Sequence, residues 1–460
     1  MNKPLPPDDD LTLVLDIGKS HAKLVLIDAA GEVVARQVQP NQSTPGPGYT
    51  ALGVPALEAW LLATIPELPR RRAIRRLSIT THGAAFCGID DAKGLVLPPM
   101  DYEWDGYGDT RAEWQALADP FEETGTPFLP MGLNAGLQLH WLQRHHGEAC
   151  ARVQHWLPYP QYWAWWFSGV ACSEVSSLGC HTGLWSPTQA DFSPWAYRAG
   201  LAARFAPIRR AWEAIGTLRP ALAQRLDLPP DIQVMAGSHD SNACLARYLR
   251  SDPNALVLST GTWCVLMAPG ASVEGLDATR DELVNVAVDG RPVPTARFMG
   301  GREFAVLCGE ASPELATVEA LAEVMREGWK AVPAFTETGG PFPGQRGRVL
   351  RRGIEISIDA VPLALRPALA SLYCAEVTAA MVQRLDPQAA ADSLILEGPL
   401  AANKAFCEAL GRFIEPRRLV ISQDDVEGTA RGAWLLGQSD GGNLRARKSL
   451  KKGPNRRHPS

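Results

Sequence analysis

Residues 13–28 read Leu13-Val14-Leu15-Asp16-Ile17-Gly18-Lys19-Ser20-His21-Ala22-Lys23-Leu24-Val25-Leu26-Ile27-Asp28. An apolar run from Leu11 to Leu15 stops at a short polar turn, and a second apolar run from Ala22 to Ile27 leaves it. With the mixed stretch Glu32 to Val38, this predicts three antiparallel strands joined by tight turns. Gly18 tolerates φ > 0 and lets an anion approach the backbone. The N–H groups of the turn, with the Ser20 hydroxyl, suit an anion nest. Lys19 and Lys23 bring positive charge. Asp16, at a strand end, suits Mg²⁺ held through water. Taken alone, the segment reads equally well as an ordinary charged β-turn.

Working outward, residues 256–269 (LVLSTGTWCVLMAP) repeat the plan of apolar strand, polar turn with one Gly, and apolar strand. Ser259, Thr260, Gly261 and Thr262 offer hydroxyls and N–H groups for a second phosphate-like site; in isolation they make a plain hairpin. Between the two hairpins, Gln233 to Ala236 reads as a strand ending at Gly237-Ser238-His239-Asp240, and Asn242 to Leu249 as a helix. A carboxylate at that junction can accept a proton from an attacking hydroxyl, or simply cap the helix. His239 beside it is more often a structural hydrogen-bonder than a catalyst. Glu397-Gly398-Pro399-Leu400-Ala401-Ala402-Asn403 is a small-residue loop between strand and helix, suited to a flat ligand. A helix is expected over 361–384. Five tryptophans (Trp141, Trp156, Trp163, Trp165, Trp166) predict the core of an inserted helical layer, with sugar stacking as the rarer alternative. Strands alternate with helices in both halves, so the class is α/β.

At 460 residues and 46% hydrophobic content, two or three domains are expected. The net charge of −5 gives no reason to expect nucleic acid as a partner. The segment 441–460 holds seven Lys/Arg and no acid, which leaves about −12 on the rest; it reads as a solvated, disordered tail. Nine scattered cysteines without a C-x-x-C pair suit buried free thiols in a reducing cytoplasm. The N-terminus lacks a signal-like apolar region, and no apolar run reaches the ~18 residues of a membrane span. The P-loop, a strand-anchored G-x-G-x-x-G, H-E-x-x-H and G-x-S-x-G are all absent, which weakens Rossmann, metalloprotease and hydrolase readings.

Together, "DIGKSHAKLVLID", "GSHDSNA", "STGTW" and "EGPLAANKAFCEALG", in that order over roughly residues 11–438, resemble the FGGY family of carbohydrate kinases, within the actin-like ATPase superfamily. The resemblance implies two ribonuclease-H-like domains, each a mixed sheet flanked by helices, with a cleft between them. The expected boundaries are 1–240 for the sugar-binding domain and 241–440 for the ATP-binding domain. It implies Asp16, Gly18, Lys19, Ser20 and Lys23 on the first phosphate hairpin, and Ser259, Thr260, Gly261 and Thr262 on the second. It also implies Gly398 and Asn403 on the adenosine loop, Asp240 as general base, and Mg²⁺ near Asp16 and Asp240. In "TTHGAAFCGID" and "PMDYEWDG", His82, Gly83, Asp101 and Trp104 are candidate sugar contacts. In "MGGREF", Arg302 and Glu303 are candidates to close the cleft from the second domain. Two departures stand out: Pro399 where the family has a second Gly, and Lys19 where it often has Thr.

The expected reaction is ATP-dependent phosphorylation of a small sugar, in texture nearest the L-rhamnulose and L-fuculose kinases. Kinases for another pentulose or polyol are the alternative. An ATP-switched binding protein is the alternative of another class, and a degenerate sugar sensor a third. Expected partners are the sugar and ATP, with a homodimer as the assembly to test, and neither nucleic acid nor membrane.

Overall fold

The computed structural model describes residues 10–249, 251–337, 339–422 and 428–438. The expected basic tail lies outside them. β1 (Leu11–Ile17) and β2 (His21–Ile27) pair antiparallel, with Asp16 opposite Lys23, and β3 (Val33–Pro40) lies antiparallel beyond β2. After α1 (Val54–Thr64), β4 (Ile74–Thr81) runs parallel to β1. Then come α2 (Tyr159–Ser168), β5 (Ala214–Thr217), β6 (Gln233–Met235), β7 (Ser238–His239) and α3 (Asp240–Leu249). The sheet order is β5-β6-β4-β1-β2-β3, with β7 also on β4.

Side chains of a strand alternate between faces, and β1 buries both. Leu11, Leu13, Leu15 and Ile17 pack with Leu57, Leu61, Tyr162 and Trp163 of α1 and α2. Val14 faces the other way, with Val25 and Ile27. Of the five tryptophans, Trp141 and Trp156 lie in the core of the inserted layer. Trp163 and Trp165 instead cover the main sheet from α2, with Trp166 packed against that same core. The expectation of one inserted cluster is corrected accordingly.

The second half repeats the plan. β8 (Leu256–Ser259) and β9 (Cys264–Met267) form an antiparallel hairpin, β10 (Glu282–Val286) and β11 (Pro292–Phe298) extend it, and α4 (Gly300–Cys308) follows. α5 (Arg366–Leu385), β12 (Ser393–Glu397), α6 (Lys404–Phe413), β13 (Arg418–Ile421) and α7 (Gly428–Gly437) complete it. The order is β10-β11-β9-β8-β12-β13, with β8, β12 and β13 parallel. β1 therefore corresponds to β8, β2 to β9, and β4 to β12, so the weak sequence repeat is a repeat of topology. α5 starts at Arg366, later than expected. Pro367 occupies its first turn, where a missing N–H costs nothing, and two short 3₁₀ turns precede it.

Two helices cross between the halves. Leu245 and Leu249 of α3 pack on Val257, Met267 and Ile395 of the second sheet. Ala430, Ala433 and Trp434 of α7 return to Val14, Val25 and Ile27 of the first. Gln438 donates to Thr12 Oγ1 at 2.9 Å. So α7, inside the expected second domain, serves as a layer of the first. The helices touch closely because position 432 is Gly: a Cβ there would sit 1.9 Å from the Ala243 carbonyl oxygen.

Candidate active site

Strand register assembles the site. Asp16 on β1 stands opposite Thr80 on β4, and Thr80 opposite Ser238 on β7; one step on, Ile17, Thr81 and His239 align. Asp240, the next residue, therefore emerges at the same sheet edge as the β1–β2 turn. That turn is closed by Gly18 N–H on the His21 carbonyl at 2.9 Å, and Asn41 holds the Gly18 carbonyl at 2.8 Å. Ser20 is exposed at its tip. Lys23 lies 3.7 Å from the buried Asp16 carboxylate.

The Asp240 carboxylate is held on one side. Oδ1 accepts from Ser241 N–H at 2.6 Å and Ser241 Oγ at 3.3 Å, and lies 3.1 Å from His239 Nε2. Oδ2 has no hydrogen-bond partner among the described residues. Burial holds His239 below its ordinary range, against the pull of Asp240.

The sequence anticipated Lys19 as a phosphate contact. Its ammonium donates to Asp101 Oδ2 at 2.6 Å and to Ser43 at 3.2 Å, lies 3.2 Å from Glu103, and stands over the Tyr102 ring. Asp101 is 1% exposed. Burial alone would raise its carboxyl, but bonds from Lys19, Ser43 and the Glu103 N–H hold it below the usual carboxylate range. The first hairpin is thus tied to the loop expected to contact sugar.

His82 lies in the same neighbourhood, between the rings of Tyr102 and Tyr159. Its Nδ1 is 2.8 Å from the Gly83 carbonyl, so Nδ1 carries a proton. Its Nε2 is buried and has no partner among the described residues. Burial lowers its proton affinity, while the Gly83 bond and the charge of Asp240 oppose this. Nε2 is accordingly a bare acceptor. Gly83 needs no side chain, since a Cβ there would meet Cys180 Sγ and His239 Nε2 at 3.0 Å each. Trp104 sits among Tyr49, Tyr107 and Trp141, edge to face.

The second hairpin is placed beside the Gly398 loop. Thr260 N–H and Oγ1 both donate to the Glu397 carbonyl, at 3.0 and 2.5 Å, and Oγ1 accepts from Leu400 N–H at 3.1 Å. The Thr260 hydroxyl therefore latches two loops together, whereas Thr262 is exposed. Gly398 adopts φ 82°, and a Cβ there would lie 2.0 Å from the Thr260 carbonyl oxygen. Asn403 caps α6 through Phe406 N–H at 2.9 Å and bonds Ser371. Its side chain is occupied structurally.

Sequence reading missed what spans the halves. Cys244 on α3 donates to Glu397 Oε2 at 2.7 Å, and Arg247 and Tyr248 bond Glu397 Oε1. Burial pushes the Cys244 thiol up, and the carboxylates of Asp240 and Asp16 add to the shift. So a single α3 side chain lies within the fields of Asp16 and Asp240 and touches the residue to which Thr260 is latched. Arg297 on β11 is held by Asp281 at 2.7 Å and stacked on Trp263, and its charge disfavours protonation of His181. His181 is pushed down to about 3 by burial, with Arg297 adding to it. Glu303, expected to close the cleft, is instead buried, accepting from Phe335 N–H, Thr336 and Tyr373. Its carboxylate anchors the second-domain core, which corrects that expectation. Arg302 has no ion pair among the described residues. A polar residue facing inward, such as Glu303 between Arg302 and Phe304, gives no local signal of which way it points.

Two family models match the chain: the N-terminal domain of the FGGY family of carbohydrate kinases over residues 11–246, and the C-terminal domain of carbohydrate kinase FGGY over residues 252–446. The structure is similar to that of a carbohydrate kinase from Novosphingobium aromaticivorans, with TM-score 0.84 and 38% identity over 92% of this chain and 90% of that one. L-fuculokinase of Salmonella typhi is 26% identical over 276 residues, 58% of each chain. Xylulose kinase of Klebsiella pneumoniae is 27% identical over 269 residues, 55% of this chain and 53% of that one. The chain thus spans little more than half the length of these curated relatives.

Proposed function

Because this chain belongs to the FGGY family of carbohydrate kinases, we propose that it transfers the γ-phosphoryl group of ATP to a hydroxyl of a small neutral sugar, with Asp240 as general base. The observation that carries this is the half-held Asp240 carboxylate. Oδ1 is engaged and Oδ2 is not, at the sheet edge shared with the Gly18 turn. As the sugar oxygen bonds to the γ-phosphorus, the bond to the β–γ bridging oxygen breaks, ADP leaves, and the hydroxyl proton passes to Asp240 Oδ2. Such transfer asks mainly for positioning and charge neutralisation. Ser20 and Thr262, exposed at the tips of the two turns, and the turns' N–H groups would grip the phosphates.

Among the described residues no cluster of three or more His, Cys, Asp or Glu forms a metal cage. Asp16 and Asp240, at strand ends on either side of β4, suit Mg²⁺, which commonly binds one or two carboxylates together with phosphate oxygens. When bound, the ion would neutralise phosphate charge.

Charge on the sugar side supports a neutral substrate. Burial lowers the proton affinity of His82, His181 and His239, and Lys19 is offset by Asp101 and Glu103. Among the described residues on the first-domain side, Lys19 and Lys23 are both paired with carboxylates, so a sugar acid would meet no surplus cation from them. The bare His82 Nε2 suits one sugar hydroxyl. An L-ketose such as L-fuculose or L-rhamnulose is the favoured substrate, in line with the L-fuculokinase relative, and xylulose comes next. A cytoplasmic location fits ATP as donor, and no helix among the described residues is long and apolar enough to cross a membrane.

The test is ADP release with Mg·ATP and L-fuculose, L-rhamnulose, L- and D-xylulose, L-ribulose, erythritol or glycerol. Strong stimulation by one ketose is expected. Stimulation by none of them, with ATP turned over only in the presence of a protein, would replace the kinase by a nucleotide-driven switch.

A further inference from the structure

Resting on the reading of Asp240 as base, we propose that His239 is its positioning residue: an Nε2 proton fixed by Asn242 steers Oδ1 and leaves Oδ2 directed at the incoming hydroxyl. Asn242 Nδ2 lies 3.1 Å from His239 Nδ1. Nδ1 is left to accept from the Asn242 amide, because the acceptor-only Asp240 carboxylate requires the ring proton on Nε2. That nitrogen is 3.1 Å from Asp240 Oδ1 and 3.3 Å from Cys180 Sγ. The opposite tautomer would aim a lone pair at the carboxylate.

The surroundings hold the ring in place. Gln161 Nε2 donates to the carbonyls of Ala236 and Gly237 at 3.0 Å each. His239 N–H donates to Ser176 Oγ at 3.2 Å, and Ser176 Oγ to Glu174 at 2.6 Å. Gly83 gives the imidazole room. The Ala236 and Gly237 carbonyls and the His239 N–H are thus held before the carboxylate is presented, as expected of a preorganised base. The arrangement parallels the way an orienting partner fixes the tautomer of a functional histidine, here with the histidine as orienter.

Gln and Asn substitutions separate the roles. The Gln amide nitrogen reaches as far from Cα as Nε2, while that of Asn stops at the level of Nδ1. His239→Gln is expected to keep kcat within a few-fold of wild type. His239→Asn is expected to lose roughly 10- to 100-fold, the usual effect of removing an orienting partner, with KM for sugar and ATP and the Tm unchanged. Equal kcat in the two variants, or a change confined to KM, would overturn the proposal. Selective ¹⁵N labelling of histidine in the wild-type protein gives a readout independent of turnover: His239 should carry its proton on Nε2 with Nδ1 bare, and the reverse overturns the proposal. If wild type phosphorylates no sugar, the kinase reading falls while the tautomer measurement still decides the positioning.

Discussion

Glu174 offers a quantitative check on the packing beneath the site. It is fully buried, with Oε2 accepting from Ser176 Oγ and Ser177 N–H and, among the described residues, no partner at Oε1. Burial raises its carboxyl from 4.5 to about 7, against the opposing bonds of Ser176 and Ser177. The folded state therefore binds this proton more tightly than the unfolded chain does. Between pH 4.5 and 7 the folded state holds more protons, so stability falls as pH rises through that window. At 1.36 kcal/mol per pH unit, the full penalty above pH 7 is about 3 kcal/mol. Glu174→Gln keeps the volume and the acceptor facing Ser176 but never ionises. Urea unfolding of both proteins at pH 5, 6, 7 and 8 should show the variant gaining steadily on wild type, by up to ~3 kcal/mol at pH 8. A difference that stays flat with pH, or shrinks as pH rises, would refute the reasoning.

Lys19→Thr removes the ammonium from the buried Asp101 carboxylate. A hydrogen bond to a charged group contributes roughly 1.5–3 kcal/mol, so steady-state kinetics should show KM for the sugar rising about 10- to 100-fold, with KM for ATP changing less. An unchanged sugar KM would detach Lys19 from sugar binding. Gly398→Ala combines a left-handed φ with a Cβ placed 2.0 Å from the Thr260 carbonyl. Calorimetric titration should show ATP affinity falling by roughly tenfold or more while sugar binding persists; intact ATP affinity would remove the Gly398 loop from the nucleotide site.

What was legible in the sequence was local. The turns at Gly18 and Gly261 announce themselves because strand, glycine and returning strand are contiguous, and Asp240 because it ends one strand and opens a helix. Strand register then did what no local pattern states, bringing Asp16, Thr80 and Ser238 abreast. The bridge from Cys244 to Glu397 joins positions 153 apart in the chain, and α7 returns to a sheet formed some 400 residues earlier. Neither leaves a mark in composition or periodicity. Residue type also overstates availability. Thr260 and Asn403 carry groups suited to a ligand, yet Thr260 is engaged by neighbouring backbone and Asn403 by the Phe406 N–H and the Ser371 hydroxyl. The tryptophans read as one cluster because sequence proximity hides the boundary between the inserted layer and α2.

The central claim is that Asp240 accepts the sugar proton in a crevice walled by the two turns. Its most direct test is ketose-dependent ADP release by Asp240→Asn, alongside calorimetry of ATP binding. A fall of roughly 10²- to 10⁴-fold in kcat is expected, the usual worth of a general base, with ATP still bound and the fold intact. Turnover at the wild-type rate by the folded Asn variant would contradict it.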